Sequence, residues 1–281
     1  MMRRMKLSYQ VATPEIKRSW NVTAYQATLR TSFQALKNQA YDGVELMVAR
    51  PSIIDAIEIV SLTKELNLPI SMICTGEIFG QEKLSFSDPA PETRELAIDE
   101  VKAAIRLAEQ IEAPGINVGR VRGGITLDGD QDEERKRSLD GLAEVARYGE
   151  RRNVLVLLEP VNSIAANFIN STKDGLDVIK SINEPFLKLM IDSNHMYIED
   201  HDMFDSIRQA KDEIKFVHLA DSNRLYPGNC KIDFATFLSL LDGIGYKDWF
   251  SVEVFQRPDQ DTALERSISY LRKLDNFRGD K

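Results

Sequence analysis

Short apolar runs recur along the whole chain, and longer segments with a helical period separate them. Several of the runs are almost continuously apolar, which is typical of parallel strands that are buried on both faces. The pattern therefore predicts eight buried strands, at residues 5–11, 43–49, 68–74, 115–121, 154–159, 187–192, 216–221 and 249–255.

The segments between these runs carry signals for helix ends. Pro51 is predicted to open the helix that precedes the third strand, and Pro91 opens the helix that follows it. Residues 171–174 read STKD, a capping-box variant with Asp174 in place of the usual Glu or Gln, and Asp233 can cap a later helix. The predicted buried face of the helix from Pro91 is Leu96, Val101, Ala104, Ile105 and Ala108.

Eight strands in strict alternation with about eight helices predict a parallel sheet. In a chain of 281 residues this number of units favours a closed (β/α)8 TIM barrel, which we expect to form one domain over residues 1–281. An open Rossmann-type sheet is the alternative, but no GxGxxG follows the first strand and no GxxxxGK[ST] occurs.

Charge and cysteine content narrow the function. The net charge of −8 argues against a nucleic-acid partner, because binding to phosphates relies on Lys and Arg. Cys74 and Cys230 are predicted to be small buried residues with free thiols in a reducing cytosol, since no CxxC or disulfide framework is present. No run of 18 apolar residues predicts a membrane span, and we expect a cytoplasmic protein.

Four polar residues lie at the ends of four consecutive predicted strands: Glu159, Asp192, His218 and Glu253. The gaps between them are 33, 26 and 35 positions, so each gap is one βα unit. In a barrel the carboxyl ends of the strands meet at one mouth. Three carboxylates gathered there need compensation, and a divalent cation supplies it. This oxygen-rich set suits Mn²⁺, Mg²⁺, Co²⁺ or Fe²⁺, and Zn²⁺ also fits.

Two acidic residues also have a purely structural interpretation. Asp192 is also placed to cap the helix that follows its strand. Glu45 lies inside the second predicted strand, where it either lines the floor of the pocket as a substrate-binding residue or pairs with a neighbouring strand as a buried acid. The sequence leaves both questions open.

Longer motifs resemble a known family. The segments EPVN (159–162), DSNHMYIED (192–200) and HLADSNRLYPG (218–228) are similar to those of the xylose-isomerase-like TIM barrels, the sugar phosphate isomerase/epimerase superfamily. The resemblance covers nearly the whole chain, and it is greatest to ketose 3-epimerases such as D-tagatose 3-epimerase and 5-keto-L-gluconate epimerase. It implies a metal-dependent isomerase that acts on a small sugar or sugar acid, as a homodimer or homotetramer.

The resemblance also assigns roles to the strand-end residues. Mn²⁺ is the usual cation in the family, and it binds O2 and O3 of a 2-keto sugar. Glu159 and Glu253 would exchange the proton on C3 from opposite faces, through a cis-enediolate, while His195 and Arg224 hold the carbonyl end. By resemblance, the four metal ligands are Glu159, Asp192, His218 and Glu253.

The chain departs from the epimerase pattern after Glu159. Ser163, Ile164 and Ala165 stand where the family has Arg-Tyr-Glu, and Cys230 and Lys231 replace a Gly-His pair. One interpretation is a different substrate, an acidic sugar that contacts a basic residue. The candidate residues are Arg120, Arg122 and Lys231, although Arg120 is interpreted more simply as a solvated loop charge.

Other activities of the superfamily also stay open. One is a different reaction, such as aldose–ketose or hydroxypyruvate isomerisation or dehydration of an inosose. Another is a non-catalytic metal- or sugar-binding barrel. The AP endonucleases of the superfamily are disfavoured, because this chain has three histidines and an acidic net charge.

Overall fold

Eight parallel strands close into a barrel in the order of the sequence, and β1 pairs with β8 to complete it. The structure is a computed structural model that describes residues 4–279, with side chains described as far as residue 276. The TIM barrel predicted from the alternating pattern is confirmed. The strands are β1 (Lys6–Ala12), β2 (Gly43–Met47), β3 (Ile70–Cys74), β4 (Gly115–Val118), β5 (Leu155–Leu158), β6 (Leu187–Asp192), β7 (Ile214–Leu219) and β8 (Trp249–Val252).

Ten α-helices and two 3-10 turns connect these strands within the described part of the chain. The two short helices that directly follow β3 and β6 lie in loops at the carboxyl ends of the strands and explain why there are more than the eight predicted. The helices are α1 (Leu29–Asn38), α2 (Ala56–Leu66), α3 (Gly76–Gly80), α4 (Pro91–Gln110), α5 (Gln131–Glu150), α6 (Thr172–Ile182), α7 (Ser193–Glu199), α8 (Met203–Gln209), α9 (Phe234–Gly243) and α10 (Gln260–Gly279), and the 3-10 turns are Pro51–Ile53 and Arg120–Arg122.

Most of the predicted helix ends are confirmed. Ser171 and Asp174 form the capping box of α6, and the Asp233 side chain accepts from the backbone N–H of Thr236 in α9. The prediction that a helix starts at Pro51 is wrong. Pro51 opens only a 3-10 turn, and α2 begins at Ala56 because Asp55 accepts from the Ile57 N–H as its N-cap.

The first residue of the predicted buried face of α4 is wrong by one position. Leu96 is 50% exposed, whereas Ala97 is fully buried. Ala97 lies four residues before Val101 and therefore falls on the same face of the helix, while Leu96 is turned about 100° away from it. The remaining members of the predicted face are all buried: Val101, Ala104, Ile105 and Ala108.

The core has a large layer between the barrel and the helices and a smaller apolar cluster of Met72, Leu157, Met190 and Phe216. Each member of the smaller cluster lies two positions before a strand-end residue, and side chains two apart in a strand share a face. Phe216 packs edge-on under His218, with 5.6 Å between the ring centroids. A dry apolar layer thus lies below the polar mouth of the barrel.

Two further sequence expectations can be compared with the described residues. Among them, no helix combines the length and the apolar character needed to cross a membrane. Both cysteines are free thiols, and Cys74 is buried as predicted. The prediction that Cys230 is buried is wrong, because it lies exposed in the loop between β7 and α9.

Candidate functional site

Four strand-end side chains converge at the carboxyl end of the barrel. Glu159 follows β5, Asp192 ends β6, His218 lies in β7 and Glu253 follows β8. One ligand atom from each lies within 4.8 Å of all the others, so the group could hold a metal ion. Glu253 lies nearest to solvent, and the other three side chains are buried. The residues that the sequence places at successive strand ends are therefore together in space.

His218 is at the centre of this group. Its Nδ1 lies 3.1 Å from Glu253 Oε2, 3.4 Å from Glu159 Oε1 and 3.6 Å from Asp192 Oδ2. Its Nε2 lies 2.9 and 3.0 Å from the two carboxylate oxygens of Glu45. Burial by itself lowers the pKa of His218, but the negative charges of Glu45 and Glu253 outweigh burial and raise it above its ordinary value.

Glu45 occupies neither of the places that the sequence left open. Its side chain is fully buried on β2, and its partner His218 is on β7, which is not a neighbouring strand. The contact therefore crosses the interior of the barrel. Glu45 lies behind the imidazole, where it holds the ring with Nδ1 facing the three carboxylates.

The two carboxylate oxygens of Asp192 contact different groups. Oδ1 accepts the backbone N–H groups of Asn194 (2.8 Å) and His195 (3.1 Å), which makes Asp192 the N-cap of α7. Oδ2 faces His218 and Arg224. The capping and cluster interpretations of this residue are thus compatible.

The two glutamates are each held by a residue that the sequence reasoning missed. Glu159 Oε2 accepts from Asn117 Nδ2 at 2.8 Å, and Glu253 Oε1 accepts from Thr23 Oγ1 at 3.2 Å. Gly119 makes room for the first contact, since a Cβ there would lie 2.8 Å from Glu159 Oε2. In the sequence, Asn117 could have been recognised as an amide inside the otherwise apolar start of the fourth predicted strand.

The buried atoms of the cluster fit a divalent cation. Glu159 Oε1 and His218 Nδ1 are buried and have no hydrogen-bond partner among the described residues. Leaving such atoms unpaired is costly, and both face the other two carboxylates. Three carboxylates and one imidazole are a donor set that suits Mn²⁺, Mg²⁺, Co²⁺, Fe²⁺ or Zn²⁺.

Arg224 adds a positive charge beside the cluster. Its Nη1 lies 2.7 Å from Asp192 Oδ2, and its Nη2 contacts Glu253 Oε2. Its backbone has a positive φ of 60° and is held by the Asp221 carbonyl and the Phe255 N–H. Burial raises the pKa values of Asp192 and Glu253, but Arg224 outweighs burial and keeps both well below their usual range. Both carboxylates are therefore ionised.

His195 lies in the wall of the cavity beside the cluster. Its Nδ1 is 2.8 Å from Asn162 Nδ2. An amide nitrogen can only donate, so the ring accepts at Nδ1 and carries its proton on Nε2. Burial lowers the pKa of His195, which keeps the ring neutral at pH 7.

Arg122 and Lys231 lie away from the cavity, and neither is among the described residues that line it. Arg122 is fully buried, and burial lowers its pKa to about 10. Its guanidinium holds the backbone around the cluster by donating to the carbonyls of Gly119, Glu159, Phe168 and Ile169. Lys231 is exposed, and its backbone N–H donates to Asp221.

A cavity of about 760 Å³ opens above the cluster. Glu159, His195, Arg224 and Glu253 line one part of it. Arg120, which the sequence reasoning treated as a solvated loop charge, also lines it and is only partly exposed. The volume is in the range of pockets that bind small molecules.

The segment that departs from the epimerase pattern forms part of the cavity mouth. The Ser163 N–H and hydroxyl both donate to Glu199 Oε1 at 2.6 Å, which ties the segment to α7. Ile164 and Ala165 line the cavity, and Ile164 is 86% exposed. The substitutions thus leave an apolar edge at the mouth.

Comparison with known proteins agrees with this arrangement. Residues 33–274 match the family described as the xylose isomerase-like TIM barrel. The chain belongs to this family. The match covers nearly all of the barrel from α1 onwards, so the family resemblance inferred from the strand-end motifs is confirmed.

Several relatives of the chain are sugar epimerases. The L-ribulose 3-epimerase of Mesorhizobium japonicum is 28% identical over 257 residues, which cover 91% of this chain and 85% of that protein. The 3-dehydro-D-guloside 4-epimerase of Escherichia coli is 24% identical over 264 residues, which cover 90% of this chain and 97% of that protein. Matches to some other curated 3-epimerases are local, and one from Methylomonas sp. is 31% identical over half of each chain.

A solved structure has the same fold. The D-allulose 3-epimerase from Methylomonas sp., in complex with D-allulose, superposes with a TM-score of 0.81 and 21% sequence identity. The superposition covers 97% of this chain and 98% of that one. The barrel is therefore shared over its full length.

Proposed function

We propose that the chain is a divalent-metal-dependent sugar epimerase that inverts C3 of a 2-keto sugar. The observation that carries this proposal is the buried cluster, in which Glu159 Oε1 and His218 Nδ1 are unpaired and two glutamates lie beside an open cavity. The similarity to curated epimerases supports an enzyme of the isomerase class, as the sequence predicted.

The cation would be held by Glu159, Asp192, His218 Nδ1 and Glu253. When bound, a divalent ion acts as a Lewis acid that polarises the carbonyl next to the reacting carbon. We propose Mn²⁺, because three carboxylates and one imidazole offer the hard, mixed donor set that this ion accepts. Glu45 and Asn117 would serve as the outer contacts that orient two of the ligands.

Glu159 and Glu253 would move the proton. A C–H bond next to a ketone is weakly acidic, so one carboxylate removes the C3 proton and the other returns a proton from the opposite face. Asn117 and Thr23 each hold one oxygen of these glutamates, so both carboxylates keep a fixed orientation towards the cavity. Glu253 is ionised, as a base must be, while its contact with Arg224 lowers its basicity.

His195 and Arg224 would position the substrate. Neutral His195 presents its Nε2–H as a donor, and the Arg224 guanidinium presents donors next to the two carboxylates that it contacts. Donors at these places would hold the carbonyl end of a ketose and keep the reacting carbon within reach of the bases.

A second candidate is inversion of C4 in a 3-keto sugar. It is favoured by the match to a 3-dehydro-D-guloside 4-epimerase, which covers 90% of this chain and 97% of that protein. The chemistry is the same, because C4 of a 3-keto sugar is also next to the carbonyl. Ile164 is exposed at the cavity mouth, where it would contact a group attached to the sugar.

Deuterium exchange separates these candidates. The Mn²⁺-loaded protein is incubated in D₂O with a panel of 2-ketoses, keto sugar acids and 3-keto glycosides, and NMR locates the incorporated deuterium. We expect deuterium at C3 of a 2-ketose, and Glu253→Gln should abolish it. Glu144→Gln, a surface change on α5, is the matched control. Exchange at C4 of a 3-keto glycoside supports the second candidate, and no exchange with any substrate refutes both.

We propose that residues 1–281 form one domain, that the protein is a cytoplasmic homodimer or homotetramer, and that nucleic acid is not a partner. Light scattering after gel filtration measures the oligomeric state, and a mass of one chain would contradict that part of the proposal.

A further inference from the structure

Three basic side chains line the cavity in addition to Arg224: Lys17, Arg18 and Arg120. Lys17 and Arg18 belong to the loop between β1 and α1, whereas Arg120 begins the 3-10 turn after β4. The proposed epimerisation uses none of them.

Contacts with the end of α3 hold the backbone of the loop that carries Lys17 near Arg120. The Lys17 N–H donates to Gln81 Oε1 at 2.9 Å, and Gln81 Nε2 donates back to the Lys17 carbonyl at 3.3 Å. The preceding residue, Gly80, lies against Arg120, because a Cβ there would be 2.8 Å from Arg120 Nη2. The loop that carries Lys17 and Arg18 is thus tied to the place where Arg120 lies.

Among the described residues, Glu77 is the one carboxylate that forms an ion pair with this group. Glu77 Oε1 lies 2.7 Å from Arg120 Nη2, while no acidic side chain among the described residues forms an ion pair with Lys17 or Arg18. Both protein contacts of Arg120 use Nη2, since the other is to the Gly76 carbonyl. The Nη1 and Nε donors of the guanidinium have no partner among the described residues, so each is left for a ligand.

The charges that line the cavity also favour an anionic ligand. Three carboxylates of the cluster, Glu159, Asp192 and Glu253, would be neutralised by a divalent cation together with Arg224. The remaining charges that line the cavity are the three cations and Glu77, which leaves two positive charges. The whole chain has a net charge of −8, so this excess of positive charge is local to the cavity.

We propose that Lys17, Arg18 and Arg120 form a subsite for an anionic group, a carboxylate or a phosphate, at the end of the ketose remote from the reacting carbon. This inference rests on the proposed epimerase function and names the substrate class for the same site. A cleft with unpaired cations attracts an anion from solution, and charge-assisted hydrogen bonds then hold it in one orientation. Lys17 and Arg18 are exposed, so water solvates them when no anion is bound, and the gain from an anion falls as the ionic strength rises.

A matched series of three ketoses tests the subsite. D-Fructose, D-fructuronate and D-fructose 6-phosphate share the configuration at C3 to C5 and differ only at C6. The kcat/KM for deuterium exchange by the Mn²⁺-loaded protein is measured for each. We expect at least one charged member to exceed D-fructose by about tenfold, a preference that falls at high ionic strength. Equal or better exchange of D-fructose overturns the proposal.

Two variants test whether Arg120 causes the preference for a charged ketose. Arg120→Gln should lower the ratio of charged to neutral kcat/KM by about tenfold. Arg208→Gln, an exposed change on α8, should leave the ratio as it is in the parent protein. An unchanged ratio in Arg120→Gln would contradict the subsite, and the better of the two charged members identifies the anion as a carboxylate or a phosphate.

Binding without reaction separates this inference from the proposed function. Calorimetry compares D-gluconate with D-glucitol, which have no ketone and differ by a carboxylate. Tighter binding of D-gluconate to the parent protein than to Arg120→Gln supports the subsite, even when no ketose is exchanged and the epimerase function fails. Equal binding of the two polyols to the parent protein refutes it.

Discussion

Glu45 and His218 are hydrogen-bonded across the interior of the barrel, with 2.9 Å between Glu45 Oε1 and His218 Nε2. The two nitrogens of an imidazole point in different directions, so holding Nε2 fixes Nδ1 towards the three carboxylates. The orientation of this ligand is set by a residue that lies outside the cluster.

Removing the Glu45 carboxylate is expected to weaken metal binding. Glu45→Leu should lower the affinity for Mn²⁺ by about 10- to 100-fold, because the His218 ring loses the Glu45 hydrogen bonds that hold its Nε2. Glu45→Gln keeps one acceptor, so its affinity for Mn²⁺ should lie between the affinities of Glu45→Leu and the parent protein. Isothermal titration measures the affinity. Glu100→Gln, a buried acid on α4, is the control, and an unchanged affinity in a folded Glu45→Leu variant contradicts the role.

Asn162 is expected to set the tautomer of His195. Asn162→Leu removes the donor to Nδ1, so the proton is no longer confined to Nε2. The ¹⁵N shifts of the imidazole should change, and kcat/KM should fall about tenfold because the donor to the substrate is displaced. Unchanged ¹⁵N shifts would show that another contact holds the ring.

Metal removal is expected to lower thermal stability. A bound cation stabilises only the folded state, by about 2.7 kcal/mol at a concentration 100 times the Kd. Calorimetry should therefore show a higher Tm in Mn²⁺ than in EDTA. The double variant Asp192→Asn, Glu253→Gln lacks two cluster charges and should show no difference. A parent protein with the same Tm in both buffers would argue against ion binding in this cluster.

The N-cap of α9 provides a test of pH-dependent stability. The hydroxyl and backbone N–H of Thr236 donate to Asp233 and lower the pKa of its carboxyl below the ordinary value. The lowered pKa means that this contribution is present above the unfolded value, near pH 4, and is lost as the pH falls through the folded value. Asp233→Ala should lower the free energy of unfolding by about 1 kcal/mol at pH 7, and by less at pH 3.

Asp233→Asn is the matched control for this prediction. Asparagine keeps the cap but does not titrate, so its free energy of unfolding should stay close to that of the parent protein at pH 7. Urea denaturation at several pH values measures both variants. A constant difference between Asp233→Ala and the parent protein from pH 7 to pH 3 would contradict the role of the charge.

Local patterns were enough to predict most of the fold. The apolar runs predict the eight strands because a buried parallel strand must be apolar on both faces, and the caps at Asp174 and Asp233 follow from hydrogen bonds within a few residues. The start of α2 was harder, since Pro51 and Asp55 both signal a helix start and only the backbone path decides between them.

The strand-end positions of the cluster were also predictable. Glu159, Asp192, His218 and Glu253 are each one βα unit apart, and closure of the barrel brings such positions to the same mouth. The sequence by itself therefore determined the barrel and these four residues. It also marked Ser163 to Ala165 as a departure, without showing that this segment is tied to Glu199.

Only the tertiary structure decided the surroundings of the cluster. The contact between Glu45 and His218 joins strands that are not neighbours, so it exists only once the barrel has closed. Arg120 and Arg122 are two positions apart in one 3-10 turn, yet one lines the cavity and the other is buried among carbonyls. Spacing determines which residues meet at a strand end, whereas the direction of a side chain in a loop depends on contacts made by distant segments.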